Sequence, residues 1–286
     1  MKTILAKSYA KINICLDIKG TNSDGYHNLD MVMLPIELHD SIQITELKHA
    51  PDNMFSMDDF TTGVLDHNIV VLLLDKFAQK YSFKNKFNIN IHKAVPTQAG
   101  LGGGSSNAAF TIKAVNDYLK LNVSEEELIK LSKPYGADIP FFIKCKPARC
   151  QGIGEILTPI TIKNKYCVLI VKPLAGCATR EVYKMADSMK LKTGNVDDVI
   201  KALETGDDEL LEKSIFNALE EPASKLVPEI LEVKQALKDQ GLKIVQMSGS
   251  GSSVFALSTD KKALKRAEKA MEKKGNYDIV LTKLVK

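Results

Sequence analysis

The chain has 286 residues, of which 44% are hydrophobic, and a formal net charge of +4. This length allows one large domain or two modest ones with a sizeable core. So small a charge does not argue for a nucleic-acid or membrane surface, although it would suit an anionic substrate. Lys7 and Lys11 interrupt the apolar N-terminal residues, which argues against a signal peptide. No aliphatic run is long enough to cross a bilayer. The five cysteines lack the spacing of metal ligands. We therefore expect a soluble, cytoplasmic protein with reduced thiols.

The first half of the sequence alternates predicted strands and helices. Strands are expected over 2–18, 31–38 with a break at Pro35, 41–47 and 87–92, where apolar and polar residues alternate. The polar residues 49–63 are expected to form a surface excursion. Helices are expected over 68–81, over 108–119, and from the capping box of Ser124 and Glu127 to about Pro134. A further strand and turn are expected over 148–155.

The second half has a simpler pattern, and we place a domain boundary near residue 160, between domains 1–160 and 161–286. Strands are expected over 166–171, 242–247, 253–257 and 277–285, and helices over 181–189, 196–203, 209–219, 227–240 and 261–274. Without the helices at 181–219, the order is β-α-β-β-α-β, which is the ferredoxin-like arrangement. The expected fold class is therefore α+β, in two domains.

A glycine-rich turn over 96–107 joins the strand at 87–92 to the helix at 108–119. Four of the five residues from Gly100 to Gly104 are glycine, so no Cβ atom keeps a ligand from the main chain there. Ser105, Ser106 and Asn107 follow, where the first turn of a helix has unpaired N–H groups. These groups and the helix dipole favour a bound phosphate. The alternative is a flexible loop with a serine helix cap.

Two common phosphate-binding motifs do not fit this turn. No Gly-Lys-Ser/Thr follows the glycines, so the turn is not a Walker loop. The dinucleotide fingerprint requires a glycine at the position of Ser105. It also requires an acidic residue at the end of a strand about 20 residues later, whereas Glu125 of this chain begins a helix.

Lys11, Asn13 and Asp138 are unusual polar residues for their surroundings. Lys11 interrupts an apolar strand, and Asn13 lies two residues later on the same face. Asp138 stands between a glycine turn and Ile-Pro-Phe-Phe. An aspartate and a lysine beside bound phosphates suit phosphoryl transfer, because the carboxylate accepts the attacking hydroxyl's proton while the ammonium offsets developing charge. The alternatives are a solvent-facing lysine and an aspartate that caps the next turn.

Two further stretches carry candidate binding residues. Tyr26, His27 and Tyr183 offer a stacking platform for a base, or else they pack as ordinary half-buried residues. The Ser-Gly-Ser-Gly-Ser-Ser turn at 248–253 is expected to close a hairpin, and closure over a ligand is the less favoured alternative.

Together these motifs resemble those of the galactokinase, homoserine kinase, mevalonate kinase and phosphomevalonate kinase (GHMP) superfamily. Its members share a lysine-bearing N-terminal strand, a Gly-Leu-Gly-Gly-Gly-Ser-Ser-Asn-Ala-Ala turn and a late Gly-Ser-Gly turn, matched here by 10–13, 100–109 and 249–251. The stretches 24–27, 136–142 and 152–159 are most similar to those of members that phosphorylate a cytidine diphosphate derivative of methylerythritol. The resemblance covers nearly the whole chain and is strongest over 8–160.

The resemblance implies transfer of the γ-phosphate of ATP, accompanied by Mg²⁺, to the 2-hydroxyl of 4-(cytidine 5′-diphospho)-2-C-methyl-D-erythritol. It implies a first domain that contains a left-handed β-α-β unit. Lys11 and Asp138 fall on the family's catalytic pair, with Asp138 as general base, and no metal ligand is assigned. The implied substrate-binding residues are Asn13, Tyr26, His27 and Tyr183, the two tyrosines enclosing the cytosine and His27 reading its edge.

The implied ATP-binding residues are the adenine-side Asn68 and the loop residues Pro96, Ala99, Gly100, Leu101, Gly102, Gly103, Gly104, Ser105, Ser106 and Asn107. The chain departs from the family at Gln98, where most members carry glycine. A side chain at this position is expected to narrow the adenine side of the loop.

Two other functions are compatible with parts of this pattern. A homoserine or mevalonate type of kinase would use the same loop, but the stretch 24–27 argues against those acceptors because they have no base to stack. A non-catalytic nucleotide- or RNA-binding module would share the fold. Lys11, Asp138 and the lack of a basic, aromatic-rich surface argue against it. We therefore expect the chain to bind a small-molecule substrate, and neither nucleic acid nor a membrane. It is expected to be a monomer or a homodimer.

Overall fold

The computed structural model describes residues 2–22, 25–58 and 68–285. Asp24 and residues 59–63 of the expected surface excursion lie outside these ranges. Two compact units divide the chain: one consists of Met1–Ala10, His39–Val95 and Gly102–Cys145, and the other of Lys11–Leu38, Pro96–Leu101 and Lys146–Lys286. The boundary near residue 160 stays a prediction.

Two long paired strands, β1 (Thr3–Thr21) and β2 (His27–Leu47), contribute residues to both units. In the first unit, β3 (Met54–Met57) pairs in parallel with β4 (Lys86–His92), which pairs antiparallel with the end of β2. The helices of this unit are α1 (Ile69–Tyr81), α2 (Gly103–Leu119), α3 (Glu125–Ser132) and α4 (Ile139–Lys144), with a 3₁₀ turn at Lys133–Tyr135. Because α1 connects the parallel strands β3 and β4, these three elements form a β-α-β unit.

Helix α1 shows how local sequence produces an element of this unit. The Asn68 side chain accepts a hydrogen bond from Val70 N at 2.9 Å and caps the helix. Val70, Leu73, Leu74 and Phe77 are buried, as their i, i+3, i+4, i+7 spacing requires. The predicted helix at 68–81 is therefore confirmed.

In the second unit, residues 29–33 of β2 pair antiparallel with β5 (Ala148–Gly152), which pairs with β6 (Ile156–Pro159). A separate antiparallel sheet has the order β10-β7-β9-β8. Its strands are β7 (Cys167–Pro173), β8 (Ile244–Met247), β9 (Val254–Ser258) and β10 (Tyr277–Lys283). The unit's helices are α5 (Thr179–Ala186), α6 (Val196–Thr205), α7 (Asp208–Ser214), α8 (Glu220–Leu226), α9 (Glu229–Asp239) and α10 (Lys261–Lys274). This strand order confirms the ferredoxin-like arrangement and the α+β class.

The break predicted at Pro35 is wrong, because β2 is continuous through it. Along β2, the ladder with β5 ends at Met33 and the ladder with β4 begins at Ser41. Pro35 lies between the two ladders, so its missing N–H removes no bond from either. Its carbonyl accepts a hydrogen bond from Val285 N at 3.0 Å.

Three other expectations need correction. The helix expected over 209–219 ends at Ser214, because the main chain at 216–218 instead bonds to Leu16 of β1, with Ala218 N donating to Leu16 O at 2.9 Å. The surface excursion at 49–63 contains strand β3, which pairs with a distant strand and so leaves no local signal. Helix α2 begins at Gly103 rather than residue 108. In the described ranges, no helix combines the length and apolar character that crossing a membrane requires.

Candidate active site

The first part of the glycine-rich turn, Pro96–Leu101, belongs to the second unit and makes a close main-chain approach at Gly100. Gly100 has φ +71°, a left-handed conformation. A Cβ atom there would lie 2.0 Å from the Ser248 carbonyl oxygen and 3.0 Å from Gly251 N. Glycine is therefore required at this position by both conformation and space.

Lys11 and Asn13 contact this part of the turn from β1. The Lys11 side chain is buried, with the residue 3% exposed, and its Nζ donates to Gly100 O at 2.8 Å and to Asn13 Oδ1. The solvent-facing alternative for Lys11 is thus wrong. An ammonium group is costly to bury unless oxygens replace its water, and these carbonyl oxygens do so.

The turn at 248–253 closes the β8–β9 hairpin, as expected, with Ser248 N donating to Ser253 O at 2.9 Å. It also contacts the glycine-rich turn. Ser248 Oγ donates to Gly100 O at 2.9 Å and accepts from Asn13 N at 3.2 Å, and Ser253 N donates to Ala99 O at 3.3 Å. Residues from three distant stretches of sequence therefore meet at the Gly100 carbonyl.

Gln98 has a backbone conformation that glycine adopts most readily. Its φ is +49°, in the left-handed region that favours glycine. A Cβ atom at Gly176 would lie 2.7 Å from both Cβ and Oε1 of Gln98. The glutamine side chain therefore lies against Gly176, and only glycine there leaves room for it.

The second part of the turn, in the first unit, begins helix α2. Gly102 is its N-cap, with φ +72°. The N–H groups of Gly103, Gly104 and Ser105 have no partner within the helix, and Gly104 is exposed. This open helix end can accept an anion.

Ser106 and Asn107 use their side chains differently from this open end. The buried Ser106 hydroxyl donates to Tyr9 O at 2.5 Å and accepts from Ser8 Oγ at 2.8 Å, which anchors α2 to β1. Asn107 is 3% exposed, and its Oδ1 has no hydrogen-bond partner among the residues that the structure describes.

A buried ion pair, missed by the sequence analysis, fixes the segment that leads into the turn. Asp40, 0% exposed, accepts from Ala94 N and Val95 N at 2.8 Å each and pairs with Lys93. A Cβ atom at Gly103 would lie 3.2 Å from Lys93 Nζ. The pair is therefore packed directly against the start of α2.

Asp138 and Asn68 also lie in the first unit. Asp138 is half-buried and occupies the N-cap position of α4, but its carboxylate makes no capping hydrogen bond. The capping alternative for Asp138 is thus wrong. Asn68 uses its side-chain oxygen to cap α1, and its place on the adenine side stays a prediction. Because Lys11 belongs to the second unit, the joint role of Lys11 and Asp138 stays a prediction.

The structure brings together His27 and Tyr183, both in the second unit. Their ring centroids are 4.8 Å apart at an interplanar angle of 33°. His27 Nε2 lies 2.7 Å from a carboxylate oxygen of Asp187, a residue that the sequence analysis missed. With a neutral ring, Nε2–H donates to Asp187 and Nδ1 is left as an acceptor. Tyr26, beside His27 in sequence, is 63% exposed.

The titratable groups do not suggest thiol or metal chemistry in the described part of the chain. Burial raises the pKa of Cys15 to about 12, and it raises those of Cys145 and Cys177 to about 11. These thiols are therefore protonated and unreactive at neutral pH. No group of three or more His, Cys, Asp or Glu side chains in the described ranges is arranged to hold a metal ion.

Comparison with known proteins gives matches over almost the whole chain. The model of the GHMP kinases N terminal domain matches residues 68–146, and that of the GHMP kinases C terminal matches 199–276. A 4-diphosphocytidyl-2-C-methyl-D-erythritol kinase of Clostridium novyi is 35% identical over 98% of this chain and 99% of its own length.

Solved structures agree with these matches. A crystal structure of a 4-(cytidine 5′-diphospho)-2C-methyl-D-erythritol kinase has a TM-score of 0.80 at 27% identity, covering 98% of this chain and 99% of its own. A homoserine kinase from Cytophaga hutchinsonii has a TM-score of 0.77 at 18% identity, covering 99% of this chain and 96% of its own, which shows a shared fold alone. With the motifs meeting at Gly100 and relatives matching from end to end, the chain belongs to the GHMP kinases, enzymes that transfer phosphate to an alcohol, and among them to the 4-diphosphocytidyl-2-C-methyl-D-erythritol kinase family.

Proposed function

We propose that this chain transfers the γ-phosphate of ATP to the 2-hydroxyl of 4-(cytidine 5′-diphospho)-2-C-methyl-D-erythritol, a step in the non-mevalonate route to isoprenoid precursors. The observation that carries the proposal is the buried Lys11 ammonium, hydrogen-bonded to Asn13 and to Gly100 O of the glycine-rich turn. A cation held beside a loop suited to phosphates is what an alcohol kinase requires. The acceptor is indicated by the relatives that match over nearly their full length, which are 4-diphosphocytidyl-2-C-methyl-D-erythritol kinases.

In this proposal the glycine-rich turn holds the phosphates of ATP. The unpaired N–H groups at the start of α2 point toward the anion, and the helix dipole adds to the attraction. The glycines let the phosphates approach the main chain, while Asn68 and Pro96 lie on the adenine side. Asn107 is assigned to support this loop from within, since its side chain is buried in the first turns of α2.

Asp138 and Lys11 are assigned the chemical roles. Asp138 accepts the proton of the attacking hydroxyl as that oxygen bonds to phosphorus and the bond to ADP breaks. Lys11 orients the hydroxyl and offsets the negative charge that develops on it. Asn13, which contacts Lys11, binds the hydroxyl groups of the acceptor.

Tyr26, His27 and Tyr183 are assigned to the cytidine end of the acceptor. The tyrosines enclose the ring of the base, which is favourable for a flat, polarisable group. His27, oriented by Asp187, offers Nδ1 as an acceptor for the exocyclic amine of cytosine. Homoserine and mevalonate have no group for these three residues to bind.

Mg²⁺ is expected to enter with ATP rather than to occupy a site of its own. The described residues offer no cluster of carboxylates for it. Mg²⁺ commonly keeps several waters and uses the phosphate oxygens of a substrate as ligands, and it neutralises charge on the β- and γ-phosphates.

We also propose that the protein is located in the cytoplasm and that nucleic acid has no role in its function. We propose that it is a monomer or a homodimer.

An ADP-release assay tests the acceptor directly. The purified chain is incubated with ATP, Mg²⁺ and one acceptor at a time: the cytidine-containing alcohol, homoserine or mevalonate. We expect turnover with the first alone, and phosphorus NMR of the product should place the new phosphate on the 2-hydroxyl. Turnover with homoserine or mevalonate and none with the cytidine compound would reject the proposal.

The role of Asp138 is tested by Asp138→Asn, which keeps the shape of the side chain and removes the base. We expect kcat to fall by roughly a hundredfold or more, because general base catalysis contributes about 10²–10⁴, while ATP binding changes little. The matched control is Asp117→Asn at an exposed position of α2, which should leave kcat unchanged. Near-normal turnover of Asp138→Asn would remove this residue from the base role.

A further inference from the structure

A cavity lies in the second unit, among residues to which the kinase reaction assigns no role. Its volume is about 550 Å³, within the range of roughly 300–1,000 Å³ typical of small-molecule sites. Its walls come from the end of α7, the start of α8 and the segment between them, from α9, β8 and the residues that connect those two, and from the connection between α5 and α6. The wall residues used below are Ile215, Lys192, Lys213, Lys234, Lys238 and Gln246. Asn217, another wall residue, donates to Met247 O and Gly249 O and so separates the cavity from the turn at 248–253.

The charges around this cavity are predominantly positive. Five lysines and two glutamates line it, a surplus of three positive side chains. Glu220 neutralises Lys234 at 2.6 Å, and Glu212 lies 3.9 Å from Lys243. The remaining three, which we call the rim lysines, make no ion pair with any residue that the structure describes. They are Lys192, Lys213 and Lys238.

Lys234 lines the cavity, and its surroundings show the effect of the neighbouring positive charges. Its side chain is 16% exposed and is held by both Glu220 oxygens and by Gln246 Oε1 at 3.0 Å. Burial lowers the pKa of Lys234, the ion pair and hydrogen bond with Glu220 oppose this lowering, and the charges of Lys238 and Lys192 add to it. The positive charges of Lys238 and Lys192 disfavour the charged form of Lys234, and a bound anion would offset that effect.

The rim lysines are exposed and line one cavity without acidic partners among the described residues, and such an arrangement suits phosphate groups, which lysine binds as a point charge. A diphosphate group carries about as much negative charge as the rim lysines carry positive charge. The wall also has an apolar part, which includes Ile215. We propose that this cavity, the lysine pocket, binds a small molecule that carries a diphosphate group, separately from the ATP and acceptor sites.

A tryptophan placed in the pocket can report on binding there alone, because the chain contains no tryptophan. Ile215→Trp puts the indole at the half-buried wall position, and inorganic pyrophosphate is the probe. We expect a saturable change in emission that weakens at ~1 M salt, where the screening length falls to ~3 Å. A reporter at the exposed Leu5, Leu5→Trp, lies in the other unit and should show no such change.

Lysine variants then test whether the rim lysines hold the probe. In the Ile215→Trp background, replacing all three rim lysines by alanine should weaken pyrophosphate binding at least about tenfold, since three charge-assisted contacts are lost. The matched control replaces three exposed lysines elsewhere in the second unit, Lys201, Lys262 and Lys265, and changes the net charge equally. It should leave the affinity nearly unchanged. Equal weakening in both triple variants, or no saturable signal, would overturn the proposal.

Calorimetry keeps the test independent of the reporter. If Ile215→Trp fails to fold, titration of the tryptophan-free chain and the two triple variants with pyrophosphate should show one binding event that is lost only when the rim lysines are replaced. An alkyl diphosphate that binds more tightly than pyrophosphate would indicate an organic ligand, and the reverse order would indicate inorganic pyrophosphate. Binding that survives loss of the rim lysines would reject the pocket even if the kinase reaction proceeds as proposed.

Discussion

Gly100 and Gly104 stand four residues apart in the same turn, yet their missing side chains have different consequences. A Cβ atom at Gly100 would meet the main chain of Ser248 at 2.0 Å, whereas one at Gly104 would meet nothing within 4 Å. We expect Gly100→Ala to lower the free energy of unfolding by about 3 kcal/mol or more, because backbone strain and overpacking each cost ~1–3 kcal/mol. Urea unfolding measures the loss.

Gly104→Ala is the matched control for this prediction. Gly104 lies in the first turn of α2 without a positive φ, so alanine should leave the free energy of unfolding unchanged or raise it by about 0.5–1 kcal/mol. Similar values for the two variants would mean that the main-chain approach at Gly100 does not constrain the protein.

Asp187 is predicted to position His27 for the acceptor. Asp187→Asn keeps a side chain of the same size but weakens the hydrogen bond to Nε2, so the ring loses its preferred tautomer. We expect the KM for the cytidine substrate to rise about five- to tenfold, the equivalent of ~1 kcal/mol for such a bond, while kcat changes little. Steady-state kinetics separates the two effects.

The control for Asp187 is Glu181→Gln, which removes a carboxylate from an exposed position of the same helix, α5. It should leave both constants unchanged. A fall in kcat with no change in KM for Asp187→Asn would contradict the positioning role.

Several site residues could be predicted from the sequence because they differ from the residues around them in the chain. Lys11 stands out in an apolar strand and Gly100 in a glycine run. Asp187 has no such signal: it is an ordinary carboxylate near the end of a helix, and its partner His27 is 160 residues away. A contact that arises only when distant segments pack together cannot be identified from a single sequence.

At the scale of elements, the Asp40–Lys93 pair connects β2 to the segment that leads into helix α2. Asp40 is fully buried and the Lys93 side chain is 8% exposed. Removal of one partner leaves the other charge buried and unpaired, which costs ~3–5 kcal/mol. We therefore expect Asp40→Asn and Lys93→Met each to destabilise the protein by about that amount in urea unfolding.

The double variant tests whether the two residues act as a pair. With both charges removed, Asp40→Asn/Lys93→Met should lose less free energy of unfolding than the sum of the single variants, by about 1–3 kcal/mol. Additive losses would show that each residue stabilises the protein through other contacts, such as the bonds from Ala94 and Val95 to Asp40.

Helices and strands were predictable where the residues of the element itself, through their apolar spacing and capping side chains, determine its structure. The capped, amphipathic helix α1 and the alternating strand β4 follow from their own residues. The helix expected over 209–219 was wrong because main-chain bonds to Leu16 replace helical ones, and strand β3 was missed because its pairing partner is more than thirty residues away. The exceptions therefore depend on pairing between distant segments.

At the scale of the whole molecule, the family could be inferred because several short motifs occur in a fixed order along one chain. Each motif alone is compatible with a hairpin, a cap or a flexible loop. The lysine pocket had no counterpart in that inference, since its lysines come from separate helices and loops whose spacing follows no motif. Order along the chain therefore revealed the family, whereas the lysine pocket could be found only in the folded structure.

The stability of the folded chain should fall in alkaline solution, because burial raises the pKa of the Cys15 thiol from 9.0 to about 12. The native state keeps this proton when the unfolded state releases it, so the free energy of unfolding decreases as the pH rises from about 9 toward 12. One such thiol contributes ~1.4 kcal/mol per pH unit to that slope. Urea unfolding at several pH values in this window should give a slope that is smaller by about this amount in Cys15→Ala. The two slopes would be equal if Cys15 ionised as readily in the folded protein as in the unfolded chain.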